Sequence, residues 1–225
     1  MNESATTTRP PWTGIAVSAL SLIVMAGISW TLWDSLPDPV ITRQATPERT
    51  EIAVPKLIAT AAMPGALLVI AAIMVVATKI GNRLRPHVDP RLVASPASLT
   101  RSMNTLFTLL PLFFIVLHAG FLLITAGHDF PLDQAVAVGF GVLLMGIGNV
   151  LPKITPSRVS PKDAVGRWAL AWQSSQRVGG IAMVLLGAVC IVAAFLIPPM
   201  VAAVISAGLI VAIYVMMVLR AASRM

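Results

Sequence analysis

Six apolar runs, each close to the length of a membrane span, are the feature that most constrains how this chain folds. About 20 apolar residues in an α-helix cross a hydrocarbon core of about 30 Å. The runs cover residues 12–33, 57–79, 104–126, 134–151, 178–197 and 200–219. The chain is 57% hydrophobic and 11% charged, against about 25% charged in soluble domains. The sequence therefore predicts an all-α polytopic membrane protein, a single integral domain over 1–225 with six transmembrane helices.

The positive charges are distributed unevenly between the segments that separate these runs. Thirteen of the 16 Lys and Arg fall in the N-terminal segment, the second and fourth connecting loops and the C-terminal tail. The two loops, 80–102 and 152–177, are the basic ones. Because Lys and Arg are disfavoured in translocated loops, both termini and both basic loops are expected in the cytoplasm. The net charge of +7 then reflects topology and contact with anionic lipid headgroups, and no nucleic-acid partner is expected.

The loop 152–177 carries its own helix signals. Residues 160–163 read Ser-Pro-Lys-Asp, the form of a capping box with proline in the first turn. A short helix is expected from Pro161, with Val165, Trp168 and Trp172 on one face. An apolar face with basic flanks predicts a helix lying in the inner membrane interface. The alternative is that the two Trp belong to an aromatic belt at the start of the fifth span.

The residues around this loop occur in a recognisable order. The elements are G-N-x-x-P-K, an arginine, two tryptophans and R-x-G-G, carried by Gly148, Asn149, Pro152, Lys153, Arg167, Trp168, Trp172, Arg177, Gly179 and Gly180. This order resembles the C-terminal signature of the SdpI family, bacterial membrane proteins named for immunity to a sporulation-delaying toxin. After the first run, Leu36, Pro37 and Asp38 are similar to the start of an extracytoplasmic motif, L-P-x-x-[IV]-P-x-H-[WF]. Here residues 41–44 read I-T-R-Q, without its histidine and aromatic residue.

The resemblance implies a protein of the bacterial cytoplasmic membrane with a role in immunity or signalling. Its outer surface would meet an envelope-acting peptide or toxin, and its basic inner loops would hold a cytoplasmic regulator. The residues of the expected functional loop are Asn149, Pro152, Lys153, Arg167, Trp168 and Trp172. The separate outer-loop motif consists of Leu36, Pro37 and Asp38. For Asn149, capping of the fourth helix is the alternative to a family-specific role.

A small transporter or channel is the alternative function. Leu-Pro-Asp at 36–38 follows the first run and Leu-Pro-Lys at 151–153 follows the fourth, and two three-helix halves would have the opposite topology that inverted repeats require. His118 is the one ionisable side chain deep in a run, where such residues are usually functional. A hydrogen bond from a neutral His118 to a neighbouring helix is the expectation favoured here.

Several residues within the runs predict how the helices pack. Pro64 and Pro111 should leave the carbonyls of Thr60 and Phe107 without their helical partner. Ser95 followed by Pro96 has the form of a helix N-cap. Small residues in the fourth run predict close contact with neighbouring helices; they are Ala135, Ala137, Gly139, Gly141, Gly146 and Gly148.

The sequence contains no recognisable catalytic set. It lacks a metal-spaced Cys/His cluster, a phosphate-binding glycine loop and a Ser/His/Asp grouping on one side of the membrane. Its one cysteine, Cys190, lies in an apolar run and cannot form an intrachain disulfide. The chain is therefore expected to have no enzymatic activity, no cofactor and no metal site.

Overall fold

The computed structural model describes residues 11–43, 50–84, 87, 95–153 and 164–222. These contain six long helices, α1 (Trp12–Thr31), α2 (Lys56–Leu84), α3 (Pro96–Thr125), α4 (Leu132–Val150), α5 (Ala164–Ala193) and α6 (Pro199–Ala222). Each is long and apolar enough to cross a membrane. The predicted helical chain with six membrane-length helices is confirmed.

The helix bounds differ from the prediction mainly at the basic loops. α2 continues to Leu84 and α3 begins at Pro96, so the first basic loop is shorter than the predicted 80–102. The predicted cap at Ser95 is confirmed, because its side chain accepts a hydrogen bond from the backbone N–H of Ser98 at 3.3 Å.

The separate in-plane helix predicted from Pro161 is wrong in the part that the structure describes. Residues 164–193 form one helix of 30 residues, so Trp168 and Trp172 lie on the first turns of α5. This matches the alternative, that both Trp belong to the start of the fifth span. At 1.5 Å per residue α5 is about 45 Å long, longer than a bilayer core. The proposed capping box at 160–163 lies outside the described residues.

Contacts between helices show how they alternate in direction. Gly14 lies beside Asn104 at the start of α1 and α3, so these two helices are parallel. Gly146 near the end of α4 faces Leu109 in the first half of α3. Gly148 contacts Gly180, and Gly179 contacts Met217 near the end of α6. α4 is therefore antiparallel to α3 and α5, and α6 is antiparallel to α5.

α1, α3 and α5 begin at the same end of the bundle, which we call the basic end. Among the described residues there, all charged side chains are basic and exposed; they are Lys79, Arg83, Arg101, Lys153, Arg167, Arg177 and Arg220. The opposite end is called the hairpin end. Its described acidic side chains, all exposed, are Asp34, Asp38, Glu51, Asp129 and Asp133.

The hairpin end takes its name from two short strands that the sequence did not predict. β1 (Val40–Arg43) pairs antiparallel with β2 (Ile52–Val54), with Val40 opposite Val54 and Ile41 opposite Ala53. Strands of four and three residues are too short to show a reliable alternation of apolar and polar residues. Residues 40–43 and 52–54 are thus paired strands, which the apolar runs of the sequence alone did not indicate.

Candidate functional site

The interface of α4 and α5 is built on glycines that bring the two backbones into contact. A Cβ added to Gly148 would lie 2.6 Å from the carbonyl oxygen of Gly180, and one added to Gly187 would lie 2.5 Å from that of Gly141. Any side chain larger than hydrogen would push the helices apart at these points. The expected close packing of the small residues in the fourth span is confirmed for its glycines.

The glycines of α4 contact two neighbouring helices, α3 and α5. Gly141 and Gly148 face α5, whereas Gly139 and Gly146 face Phe113 and Leu109 of α3. In each pair the residues are seven positions apart, which is about two helical turns. α4 is therefore held between α3 and α5 by two separate glycine faces.

The two halves of the G-N-x-x-P-K and R-x-G-G pattern meet at the basic end of this interface. α4 ends at Val150 and is followed by a 3₁₀ turn, Leu151–Lys153, as expected where proline interrupts the helical hydrogen bonds. A Cβ on Gly180 would lie 2.6 Å from both the carbonyl oxygen of Gly148 and the ring Cγ of Pro152. The absence of a side chain at Gly180 is what allows the Pro152 turn to rest on α5.

Asn149 and Lys153 form a polar pair on the surface beside this contact. The Lys153 Nζ donates to Asn149 Oδ1 at 3.0 Å, and both side chains are exposed. A cation is favoured near the C-terminal end of a helix because the last carbonyls carry partial negative charge. The pair therefore presents a fixed positive group at the end of α4.

Trp168 and Trp172 stack on each other at the start of α5. Their ring centroids are 5.8 Å apart and their planes differ by 6°, an arrangement with favourable dispersion contacts. Trp172 also packs against a buried cluster of Leu151, Met183 and Met217. The stack joins the beginning of α5 to the ends of α4 and α6, while Arg167 remains exposed beside it.

Two buried polar residues lie one turn further along α5, and sequence analysis did not identify them. Ser175 is 3% exposed and Gln176 is 8% exposed. Within the described part of the chain, the Ser175 hydroxyl has no hydrogen-bond partner. The sequence signal for their burial was their spacing. They follow Trp172 by three and four residues, so they lie on the same face of α5 as that side chain.

The outer-loop motif lies at the other end of the molecule. Leu36 is buried, and Asp38 Oδ1 accepts a hydrogen bond from the backbone N–H of Lys56 at 3.2 Å. The Lys56 ammonium sits 4.7 Å from the ring centroid of Trp33. The motif thus forms the base of the β-hairpin, and it makes no common site with the residues around Asn149.

His118 joins α3 to α1 in the interior of the bundle. The side chain is fully buried, with Nε2 3.1 Å from the carbonyl oxygen of Met25 and 2.9 Å from Ser29 Oγ. Since a carbonyl only accepts, the Nε2 proton points to α1. The expected hydrogen bond from His118 to a neighbouring helix is confirmed.

Two further polar contacts follow the same interface towards the basic end. Ser18 Oγ donates at 3.1 Å to the carbonyl of Phe107, the group that Pro111 was predicted to leave without its helical partner. The backbone N–H of Gly14 donates to Asn104 Oδ1 at 3.2 Å, which satisfies one of the unpaired donors at the start of α1. Hydrogen bonds therefore fix α1 against α3 along most of its length.

The fold is that of a helical protein whose six long, apolar helices are compatible with the multi-pass membrane class, and α4, α5 and α6 meet at its basic end. Within the described ranges, no group of three or more His, Cys, Asp or Glu side chains could hold a metal ion. Comparison with known proteins finds no matching family model, no matching curated protein and no matching solved structure.

Proposed function

We propose that this chain is an SdpI-like protein of the bacterial cytoplasmic membrane that acts in immunity or signal transduction against an envelope-acting peptide or toxin. The observation that carries the proposal is the contact of Gly148 and Pro152 with Gly180. It brings together the two sequence segments on which the resemblance rests. Gly148 and Gly180, 32 positions apart in the chain, are thereby buried against each other beside the exposed pair of Asn149 and Lys153.

The proposed orientation places both termini and the basic end in the cytoplasm. Its support is the separation of charge, with all described basic side chains except Arg43 and Lys56 at one end of the bundle and the described acidic side chains at the other. Each Lys or Arg near an anionic leaflet contributes about 1 kcal/mol of attraction. Anionic headgroups are therefore the proposed lipid partner of the basic end.

In this proposal the two ends have different partners. The hairpin end meets the peptide outside the cell, and the basic end holds a cytoplasmic regulator at the membrane. The exposed Lys153, Arg167 and Arg177 supply the charge for such a contact, and Trp168 supplies a rigid apolar surface beside it. Aromatic and arginine side chains are the ones most enriched at the energetic centre of protein interfaces.

Transport remains the second candidate because of His118. A buried ionisable side chain at membrane depth is a common feature of ion and solute pathways. The packing of the two halves argues against the inverted repeat, however. α4 and α5 share the most extensive helix interface of the molecule, whereas the corresponding α1 and α2 touch little.

The orientation is testable with reporter fusions. A reporter active only in the cytoplasm should be active when fused after Lys153, and a reporter active only outside should be active after Asp129. The expected difference is all-or-none, because each fusion point lies on one side of the membrane. Activity of the external reporter at Lys153 would reverse the proposed orientation and with it the assignment of partners.

The functional surface is testable with single substitutions and matched controls. Asn149→Ala, Lys153→Ala and Arg167→Ala should each reduce protection or signalling about fivefold or more, as expected when an interface side chain worth over 1 kcal/mol is truncated. The controls Asn82→Ala and Lys79→Ala change the same residue types at exposed positions of α2.

Two measurements accompany each variant, namely survival of cells challenged with candidate peptides and the amount of protein in the membrane. Membrane levels should stay near normal, since the substituted side chains are exposed. Equal losses in the variants and their α2 controls would exclude a specific surface. Flux of a labelled solute into proteoliposomes tests the transport alternative directly.

A further inference from the structure

The β-hairpin at the hairpin end has an open strand edge. Among the described residues, β1 and β2 form a two-stranded sheet, so β2 has a sheet neighbour on one side only. An open edge presents unpaired backbone N–H and C=O groups to any extended segment that approaches it. Proteins commonly protect such edges with charged residues, but Ile52, Ala53 and Val54 carry none, and Ile52 is 41% exposed.

The hairpin is held in place by contacts at its base. Val40 is fully buried, and the Asp38 carboxylate accepts the backbone N–H of Lys56. A strand that is already ordered loses little conformational freedom when it binds a partner.

Side-chain hydrogen bonds also fix the register of the two strands. Thr42 Oγ1 donates to the carbonyl of Ile52 at 3.1 Å, and the Arg43 guanidinium donates to the carbonyl of Thr50 at 3.0 Å. The edge of β2 is therefore preformed for pairing.

The charges around the hairpin favour a positively charged partner. Five described acidic side chains at this end are exposed, Glu51 directly before β2 among them. The two described basic side chains of the hairpin segment make contacts within the protein. Arg43 donates to the Thr50 carbonyl, and Lys56 lies over the Trp33 ring. The potential at this end is negative, which attracts cations and repels acidic peptides.

We propose that the edge of β2 binds an extended cationic peptide by strand addition. Backbone hydrogen bonds along β2 would hold the peptide, its apolar side chains would cover Ile52, and its Lys or Arg side chains would face the acidic groups. The proposal rests on the proposed function and names the chemistry of the peptide that the hairpin end receives.

The test uses the full chain in nanodiscs of zwitterionic lipid and a labelled peptide of alternating valine and lysine. One control peptide has glutamate in place of each lysine. The other keeps the lysines but carries N-methyl groups on alternate amides, which removes the backbone donors of one edge without changing the charge. We expect the dissociation constant to be at least about tenfold weaker for each control, equivalent to about 1.4 kcal/mol.

A protein variant tests the charge contribution separately. The double substitution Asp34→Asn with Glu51→Gln should weaken binding of the lysine peptide several-fold and reduce its dependence on salt. Equal binding of the N-methylated peptide would overturn strand addition. Equal binding by the double variant, or by nanodiscs without protein, would overturn recognition of a cationic peptide by this edge.

Protection assays separate this inference from the proposed function. If the Asp34 and Glu51 double variant protects cells fully while Lys153→Ala does not, recognition of a cationic peptide by this edge is wrong and the proposed function stands. If the wild-type chain protects against no peptide and holds no regulator, the proposed function is wrong. The binding measurement in nanodiscs still decides the strand addition.

Discussion

Gly148→Val should leave little correctly folded protein. The new Cβ would lie 2.6 Å from the carbonyl oxygen of Gly180 and 2.8 Å from Met183 Cβ, so α4 and α5 must separate. Overpacking of a buried contact costs about 1–3 kcal/mol and sometimes more, and here the obstacle is backbone. Gly180→Val should be at least as damaging, because it meets both the Gly148 carbonyl and Pro152. The measurement is the yield of monodisperse protein after detergent extraction, with its thermal unfolding temperature.

Gly208→Val is the matched control for both substitutions. Gly208 lies within α6, and a Cβ added there meets nothing within 4 Å. The change should be neutral or slightly stabilising, since glycine costs about 1 kcal/mol relative to alanine inside a helix. A similar loss of yield for Gly148→Val and Gly208→Val would show that the glycine interface of α4 and α5 does not determine folding.

His118→Ala should lower the stability of the protein strongly while the folded fraction retains its activity. The substitution removes a fully buried side chain and its contacts to Met25 and Ser29 on α1. Truncating a large buried side chain to alanine costs about 2–5 kcal/mol through lost packing and the cavity it leaves. We expect a clear fall in unfolding temperature, measured in the same detergent as the wild type.

Two companion variants separate hydrogen bonding from packing. Ser29→Ala removes only the hydroxyl and should cost about 0.6 kcal/mol, the average for hydrogen bonds between membrane helices. His128→Ala changes an exposed histidine in the turn between α3 and α4 and should have no effect on stability. If His118→Ala abolished activity at unchanged stability, the transport function would replace immunity or signalling as the proposal.

The difference between the predicted and the observed start of α5 shows where local sequence signals are insufficient. The polar and basic character of 152–177 predicted a break before the fifth span. The structure nevertheless continues one helix through Trp168 and Trp172. Trp172 contacts the cluster of Leu151, Met183 and Met217, which come from three different elements. Burial against the turn after α4 and against α6 stabilises these first turns. A pattern read from neighbouring residues in the sequence does not include this contribution.

The candidate site, too, was predictable from the sequence only in part. The pattern from Asn149 to Gly180 was visible in the sequence, as was the interruption of α4 by Pro152. The meeting of Pro152 with Gly180 was not visible, because it depends on the antiparallel approach of α4 and α5. Ser175 and Gln176 were missed for a similar reason, since their burial arises from packing rather than composition.

The sequence alone determined the features that depend on composition and on neighbours within a few residues. These are the six membrane-length helices, the asymmetry of charge, the cap at Ser95 and the small residues of α4. Tertiary structure alone decided which α4 glycines face α3 and which face α5, and that the Phe107 carbonyl is bonded by Ser18. It also decided that residues 40–43 pair with residues 52–54. Such contacts join residues far apart in the chain, and their free energy exists only once the helices are packed.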